Sequence, residues 1–372
     1  MGEEEIYRRI ASLREVDKGA VLATIVSKRG SAPRELGAKL LVEEGGATLG
    51  SISGGCVEAE TWQEAMQMMP GGHPRIRCFH LTEKDAVESG LICGGALEVY
   101  LEPVSPVPQT AKGDLYQEII ALQSRQEKGA LATLLLEADP SRQEGDAGGP
   151  PDDPRVAPIG ERKQLFGREG LVAGARGEDQ AWEHEVAEMA CQVMAEERPR
   201  LLELPGGPRV FLDPIVASPI LYLFGGGHIS LPLARLGKMS GFQVIVVDDR
   251  ELYANSTRFP EANRVYAREF TEVLPELVPH SSSYIVIVTR GHLHDELVLE
   301  WAVKQTVRYI GMIGSRQKIR RIYTNLTERG TPPEALARVH SPIGLSIGAE
   351  TPEEIAVSIA AQLIQVRRER TP

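Results

Sequence analysis

The sequence predicts a mixed α/β chain in two parts: a duplicated α+β region, then a doubly wound parallel sheet. Three observations predict it. Internal matches recur in the same order across the first two thirds of the 372 residues. Short apolar runs alternate with helical stretches in the last third. A glycine loop, "GGGHIS" at 225–230, joins the first of those runs to a helical stretch, as in the start of a βαβ unit.

The duplication opens on "IYRRIASLREVDKGAVLATIV" from Ile6 and "LYQEIIALQSRQEKGALATLLL" from Leu115, with Tyr7 matching Tyr116 at an offset of 109 residues. Three further matches follow in order: "SAPRELGAKLLV" (31–42) with "VAPIGERKQLFG" (156–167), "CVEAETWQEAMQMM" (56–69) with "RGEDQAWEHEVAEMA" (176–190), and "GGALEVYLEPVSP" (94–106) with "GGPRVFLDPIVASP" (206–219). Four matches in one order exceed coincidence. Each copy reads as an amphipathic helix (Ile6, Ile10 and Leu13 in the first), a strand "AVLATIV", a turn around Ser31-Ala32-Pro33, a strand "AKLLV" and a helix starting after Cys56. A final strand, "ALEVYLEP", places Leu97, Val99 and Leu101 on one face. The expected domains are 1–108, a diverged copy at 109–217, and 218–372.

The second copy carries an insertion, "EGDAGGPPDDP" at 144–154, whose Gly, Pro and Asp content predicts a loop or disordered spacer. It also lacks the cysteines: "SGGCVE" (53–58) becomes "AGARGE", and "CGG" (93–95) becomes "PGG" (205–207). Fold features are kept while the Gly-Gly-Cys segment occurs once, which points to a role for Cys56 and Cys93 beyond packing. A cysteine at a helix start is a candidate thiolate, stabilised by the positive end of the dipole. Gly54 and Gly55 would let a bulky ligand approach the backbone. Arg29, Arg34 and Lys39 lie near in sequence and either raise the local positive potential or sit as solvated surface charge.

In the last third, "PILYLF", "QVIVVDD", "YIVIVT" and "RYIGMI" read as strands of a Rossmann-like sheet. The loop departs from G-x-G-x-x-G: Gly225 and Gly227 fit, but Ser230 stands in the third place. Asp248, 23 residues after Gly225, sits where a ribose-binding acid belongs. A degenerate loop of this kind often binds something other than NAD. Ligands on such sheets bind beyond the carboxyl ends of the strands. Those ends carry Gly225, Gly227 and His228, then Asp248, then Arg290, His292, His294 and Asp295, then Gly314, Ser315 and Arg316. The arginines and helix-start amides suit a phosphate or other anion. His292-x-His294-Asp295 either ligates a metal or caps and hydrogen-bonds within its loop. "TPEEIAVSIAAQLIQV" opens with a capping box, Thr351 with Glu354.

Composition bounds the function. A net charge of −11 argues against a nucleic-acid binder and gives no attraction to an anionic membrane. The start "MGEEEIYRRI" is acidic and reads as neither a signal peptide nor a myristoylation site, and no apolar run reaches membrane-span length. Four cysteines without C-x-x-C spacing fit reduced thiols in the cytoplasm.

Taken together, "SISGGCVEAE", "CGGALEVYLEP", "FGGGHIS", "VDDRELYANSTRFP", "VTRGHLHDELVL", "YIGMIGSRQK" and "SPIGLSIGAETPEEIAVSIAAQ" resemble the XdhC/CoxI family of xanthine dehydrogenase accessory proteins. The likeness covers the first copy and nearly all of 219–368, and is weak in the middle copy. It implies a chaperone of the molybdenum cofactor (molybdopterin). Such a protein protects the cofactor, presents it to a cysteine desulfurase for sulfuration, and helps insert it into a molybdenum hydroxylase such as xanthine dehydrogenase. On that resemblance Cys56 and Cys93 are the thiols nearest the molybdenum. Ser53, Gly54, Gly55, Gly94 and Gly95 complete their loops, and the C-terminal rim holds the pterin phosphate or a nucleotide part. The alternative is an NAD(P)-dependent oxidoreductase using the glycine loop. A homodimer is the expected assembly; the duplication would instead let one chain mimic a dimer.

Overall fold

The computed structural model describes residues 3–30, 35–69, 72–81, 95–104, 114–135, 162–174, 180–205 and 207–369. The turn at Ser31-Ala32-Pro33, the neighbouring Arg34, the Cys93-Gly94 pair and the insertion at 144–154 lie outside the described residues. The chain divides into two compact units, Gly2–Ala217 and Ser218–Pro372. No helix among the described residues is long and apolar enough to cross a membrane.

The first unit holds α1 (Glu3–Glu15), β1 (Ala20–Arg29), β2 (Lys39–Glu43), β3 (Thr48–Gly50), α2 (Cys56–Met68), β4 (Arg75–Leu81) and β5 (Gly95–Val104). It continues with α3 (Leu115–Ser124), β6 (Gly129–Leu135), β7 (Lys163–Gly167), β8 (Gly170–Ala173), α4 (Gln180–Glu196), β9 (Arg200–Glu203) and β10 (Arg209–Ile215). Two antiparallel sheets result, β3-β2-β1-β5-β4 and β8-β7-β6-β10-β9. Their strand orders are the same.

The period-2 pattern decides which side each residue faces. Val21, Ala23 and Ile25 of β1 join Leu97, Val99 and Leu101 of β5 in a core closed by Val57, Ala65 and Met68 of α2. The other side of the sheet, with Leu22 and Leu41, packs on α1 and, through it, on α3 of the second repeat. That core is built from matching pairs: Ile6 with Leu115, Tyr7 with Tyr116, Ile10 with Ile119, Leu13 with Leu122. In the second repeat, α4 covers the far face through Val186, Ala190 and Val193.

Strand register corrects one detail of the internal alignment. Thr24 pairs with Lys39, and Thr133 pairs with Lys163. Lys39 therefore corresponds to Lys163, one residue away from the partner that the ungapped match of 31–42 with 156–167 gives. A slip of one residue reverses the two faces of a strand, so only the register that keeps Leu41 and Leu165 inward is compatible with the core.

The second unit holds β11 (Ile220–Phe224), α5 (Ser230–Met239), β12 (Gln243–Asp248), β13 (Arg264–Ala267), α6 (Phe270–Val273) and β14 (Tyr284–Ile287). It closes with α7 (His292–Ala302), β15 (Tyr309–Met312), α8 (Arg316–Glu328), α9 (Pro333–Ala337) and α10 (Pro352–Arg368). All five strands are parallel, in the order β13-β12-β11-β14-β15. Helices cover both faces. Tyr222, Phe224, Ile285 and Ile287 pack on α7 and α8, whereas Leu221, Leu223, Val244 and Val286 pack on α5 and α10. The predicted capping box is present at Thr351 and Glu354. The order reverses between β11 and β14, which places the crevice for a ligand beyond Phe224 and Ile287.

Candidate functional site

In the first unit, the Gly-Gly-Cys segment forms the entry to α2. Gly55 stands at the N-cap position with φ +68°, the left-handed region that glycine adopts without strain. Cys56 is the first residue of the helix, and its thiol is exposed and free. Gly54 is exposed, and a Cβ built there would meet nothing within 4 Å, so the backbone is open to close approach. Ser53 is buried. The Ser51 hydroxyl lies 2.8 Å from both the Ser53 carbonyl and the Glu58 carboxylate, which fixes the turn before the helix. Gly95 begins β5 opposite Leu81. Among the described residues, no group of three or more His, Cys, Asp or Glu could hold a metal ion. Lys39, read from its sequence position as a nearby cation or a surface charge, is neither: it is buried and paired with Asp213 at 2.5 Å.

In the second unit, the glycine loop leaves β11 at the reversal point. Gly225 has φ +107°, and a Cβ there would lie 2.5 Å from the Val288 carbonyl oxygen. A Cβ at Gly226 would lie 2.1 Å from the Tyr253 carbonyl oxygen, whereas one at Gly227 would meet nothing within 4 Å. The first two glycines thus answer internal crowding, and only Gly227 offers its backbone outward. Ser230, in place of a third glycine, is fully buried and donates its hydroxyl to the Gly225 carbonyl, pinning helix α5 to the loop. His228 is exposed beside it.

Asp248 is at the predicted place but turned inward. Its carboxylate accepts from the Gly226 amide at 2.7 Å, the Arg250 amide at 3.0 Å, and the Arg250 guanidinium at 2.8 and 3.0 Å. Burial pushes this carboxyl up, but the bonds from Arg250 and the Gly226 amide outweigh it and hold the group below the usual carboxylate range. Both oxygens are engaged, so the ribose-binding role expected of Asp248 has no free acceptor to rest on.

The other acids of the rim are also braces. Asp249 receives Arg290 at 2.6 Å, joining the ends of β12 and β14. Asp295, fully buried, accepts the Thr289 hydroxyl at 2.6 Å and the Thr289 amide at 3.2 Å, and pairs with Lys318 of α8. Gly314 lies against the Lys318 side chain, where a Cβ would come within 3.2 Å of its Cδ. Ser315 caps α8, and Arg316 is its exposed first residue. His292 is exposed at the start of α7, while the His294 ring packs edge-on against Phe270 at 5.1 Å. His292, His294 and Asp295 therefore do not converge: of the three, Asp295 alone makes hydrogen bonds within this loop, whereas neither histidine caps α7 and the buried His294 Nδ1 has no hydrogen-bond partner. Sequence reasoning missed Tyr253 and Arg258. Arg250 lies 3.7 Å over the Tyr253 ring, Arg258 is 5.4 Å from it, and Arg258 donates to the Gly226 carbonyl at 3.2 Å. The signal was Gly226 itself, a glycine where the motif allows any residue.

Comparison with known proteins places these features. A model of the XdhC Rossmann domain matches residues 221–363, and a model of the XdhC and CoxI family matches 13–80, which includes Cys56. The chain is 28% identical over 374 residues to a probable subunit of xanthine dehydrogenase from Bacillus subtilis, covering 97% of each chain. Over a short stretch of 58 residues, 16% of this chain and 18% of the relative, it is 53% identical to the molybdenum cofactor insertion chaperone PaoD of Escherichia coli. A crystal structure of a xanthine dehydrogenase from Bacillus halodurans shares the fold, with a TM-score of 0.74 and 24% identity over 100% of this chain and 97% of that one. With the Gly-Gly-Cys module and the C-terminal sheet each matched by its own model, in chain order, the protein belongs to the XdhC and CoxI family.

Proposed function

We propose that this protein carries the molybdenum cofactor as cargo for a molybdenum hydroxylase of the xanthine dehydrogenase type. It protects the cofactor, supports its sulfuration by a cysteine desulfurase, and helps insert it. The observation that carries this reading is Cys56: an exposed thiol on the first residue of a helix, reached across two exposed glycines. Molybdenum in this cofactor arrives already held by the dithiolene sulfurs of the pterin. A single further soft donor suits it, whereas a bare ion would need a cluster of ligands. Cys56 fits that requirement: it offers one exposed soft thiol at a helix start. Cys93, outside the described residues, is proposed as the second thiol. The C-terminal rim, with Gly227, His228, Ser315 and Arg316, is proposed to hold an anionic part of the cargo, the pterin phosphate or a nucleotide. The names of the B. subtilis and E. coli relatives support the accessory role.

The test is retention of molybdopterin by the purified chain and by its Cys56→Ala and Cys93→Ala variants, read by absorbance and metal content. Retention by the wild type and its loss in Cys56→Ala, with an unchanged melting temperature, is the expected result. Tight binding of NADH with hydride transfer to a small carbonyl would instead establish an oxidoreductase and overturn the carrier reading.

A further inference from the structure

The two repeats of the first unit meet by exchanging their charges. Lys39 of the first repeat pairs with Asp213 of the second at 2.5 Å, and Lys163 of the second pairs with Glu102 of the first at 2.7 Å. These four residues are equivalent in pairs. Lys39 and Lys163 stand opposite Thr24 and Thr133, and Glu102 and Asp213 stand opposite Leu22 and Leu131. All four are buried. Burial alone would lower the Lys39 pKa, but Asp213 and Glu3 outweigh it and keep the ammonium charged. Equivalent residues also touch each other: the rings of Tyr7 and Tyr116 lie 6.3 Å apart. A small cluster between the sheets consists of Val26 with its equivalent Leu135, and Tyr100 with its equivalent Phe211. Residue i meeting j while the equivalent of j meets the equivalent of i is the signature of a two-fold, isologous interface.

We infer that each repeat carries a self-complementary pairing face, and that the second repeat occupies within the chain the place that a second copy of the first would take. The buried lysines do not discriminate between these partners. Pairing of two first repeats would match Lys39 with Glu102, and pairing of two second repeats would match Lys163 with Asp213. Discrimination comes from Glu98 and Arg209, which are equivalent positions and meet at 2.7 Å. Two first repeats would oppose Glu98 to Glu98, and two second repeats Arg209 to Arg209. The pair therefore favours the in-chain partner by repelling the alternatives. The second repeat lacks the Gly-Gly-Cys segment, so the pairing delivers one such segment per two-fold unit. This inference does not depend on what Cys56 binds.

The test uses the full chain and leaves its net charge unchanged. Lys163→Glu with Asp213→Lys sets Glu against Glu102 and Lys against Lys39 within the chain. Between chains, however, it leaves both the first-repeat pairing (Lys39 with Glu102) and the second-repeat pairing complementary. By light scattering this double variant is expected to have at least twice the wild-type mass at equal concentration. Adding Lys39→Glu and Glu102→Lys restores both buried pairs between the repeats, while Glu3, 3.4 Å from Lys39 and exposed, can turn to solvent, and the variant is expected to return the wild-type mass. Adding Glu98→Gln and Arg209→Gln to the double variant removes the remaining in-chain preference and is expected to lower the concentration at which the larger species forms. A folded double variant at wild-type mass overturns the inference. So does a double variant recovered only as unfolded chain while the quadruple variant folds, and so does a quadruple variant that cannot fold.

Discussion

Adjacent glycines in the C-terminal loop are expected to fail in opposite ways when given a methyl group. In Gly226→Ala the new carbon would lie 2.1 Å from the Tyr253 carbonyl oxygen and 2.8 Å from its carbon, so backbone must yield to backbone. Relief requires roughly 1 Å of movement, and overpacking of this kind costs about 1–3 kcal/mol. Moving the loop also strains the 2.7 Å bond from the Gly226 amide to Asp248, and a hydrogen bond to a charged group contributes about 1.5–3 kcal/mol. The sum is about 2.5–6 kcal/mol, which for a unit of this size lowers the melting temperature by on the order of 10 °C. In Gly227→Ala the same carbon meets nothing within 4 Å, and stability is expected to change by less than about 0.5 kcal/mol. On the proposed reading that variant should instead lose affinity for an anionic ligand, because the methyl fills open space beside the Gly227 backbone. Differential scanning fluorimetry of the two variants, with inorganic phosphate titrated by calorimetry, checks both halves. Equal melting temperatures for the two variants would refute the assignment of Gly226 to internal crowding.

Three further outcomes follow from the ion pairs and titrating groups. Lys163→Met leaves Glu102 buried without its cation and is expected to destabilise the first unit by about 3–5 kcal/mol in urea titration, with much of the loss recovered when Glu102→Leu is added. Burial holds the His340 imidazole, stacked on Tyr309 at 4.7 Å, below its ordinary value of 6.5. The unfolded state then binds the proton more readily, so stability should fall as pH drops below about 6.5, and His340→Gln should flatten that limb of the curve. The Asp248 carboxyl is held below 3.8, so the stability it contributes is complete above that value and is lost as pH falls through its lower folded value. Asp248→Asn should be less stable at pH 7 and lose that acid-dependent step.

The strongest sequence signals were those in which one property fixes both element and face. The alternation Leu97, Val99, Leu101 placed one side of β5 against α2, and the Gly-Gly pair placed Cys56 at a helix start. Strands β3, β4 and β13 were not legible. Apart from β4, they are three or four residues of mixed exposure, too short for a period to register. The direction of Asp248 was not legible either. Its position at the end of β12 suits a ribose, but Arg250 two residues on and the Gly226 amide across the loop turn it inward, and neither contact has a spacing rule. Lys39 shows the same limit more sharply. Its partner Asp213 is 174 residues away, on β10 of the other repeat, the counterpart of β5, and only the two-fold arrangement brings them together.

The inward-turned acids also bear on the anion site proposed at the rim. Asp248 holds the glycine loop, Asp249 holds Arg290, and Asp295 holds Thr289 and Lys318. A metal ion seeking carboxylates would have to break these braces and with them the loops that define the crevice, which makes cation binding costly. Groups directed outward are of the opposite character: the open backbone at Gly227, the starts of α7 and α8, and the exposed Arg316. Each complements negative charge. A chain with a net charge of −11 would gain nothing from a general attraction to anions, so selectivity for one must come from this local arrangement. On the proposed reading, the acids set the crevice before an anion arrives, since Asp249 holds Arg290 and Asp295 holds Lys318 in place.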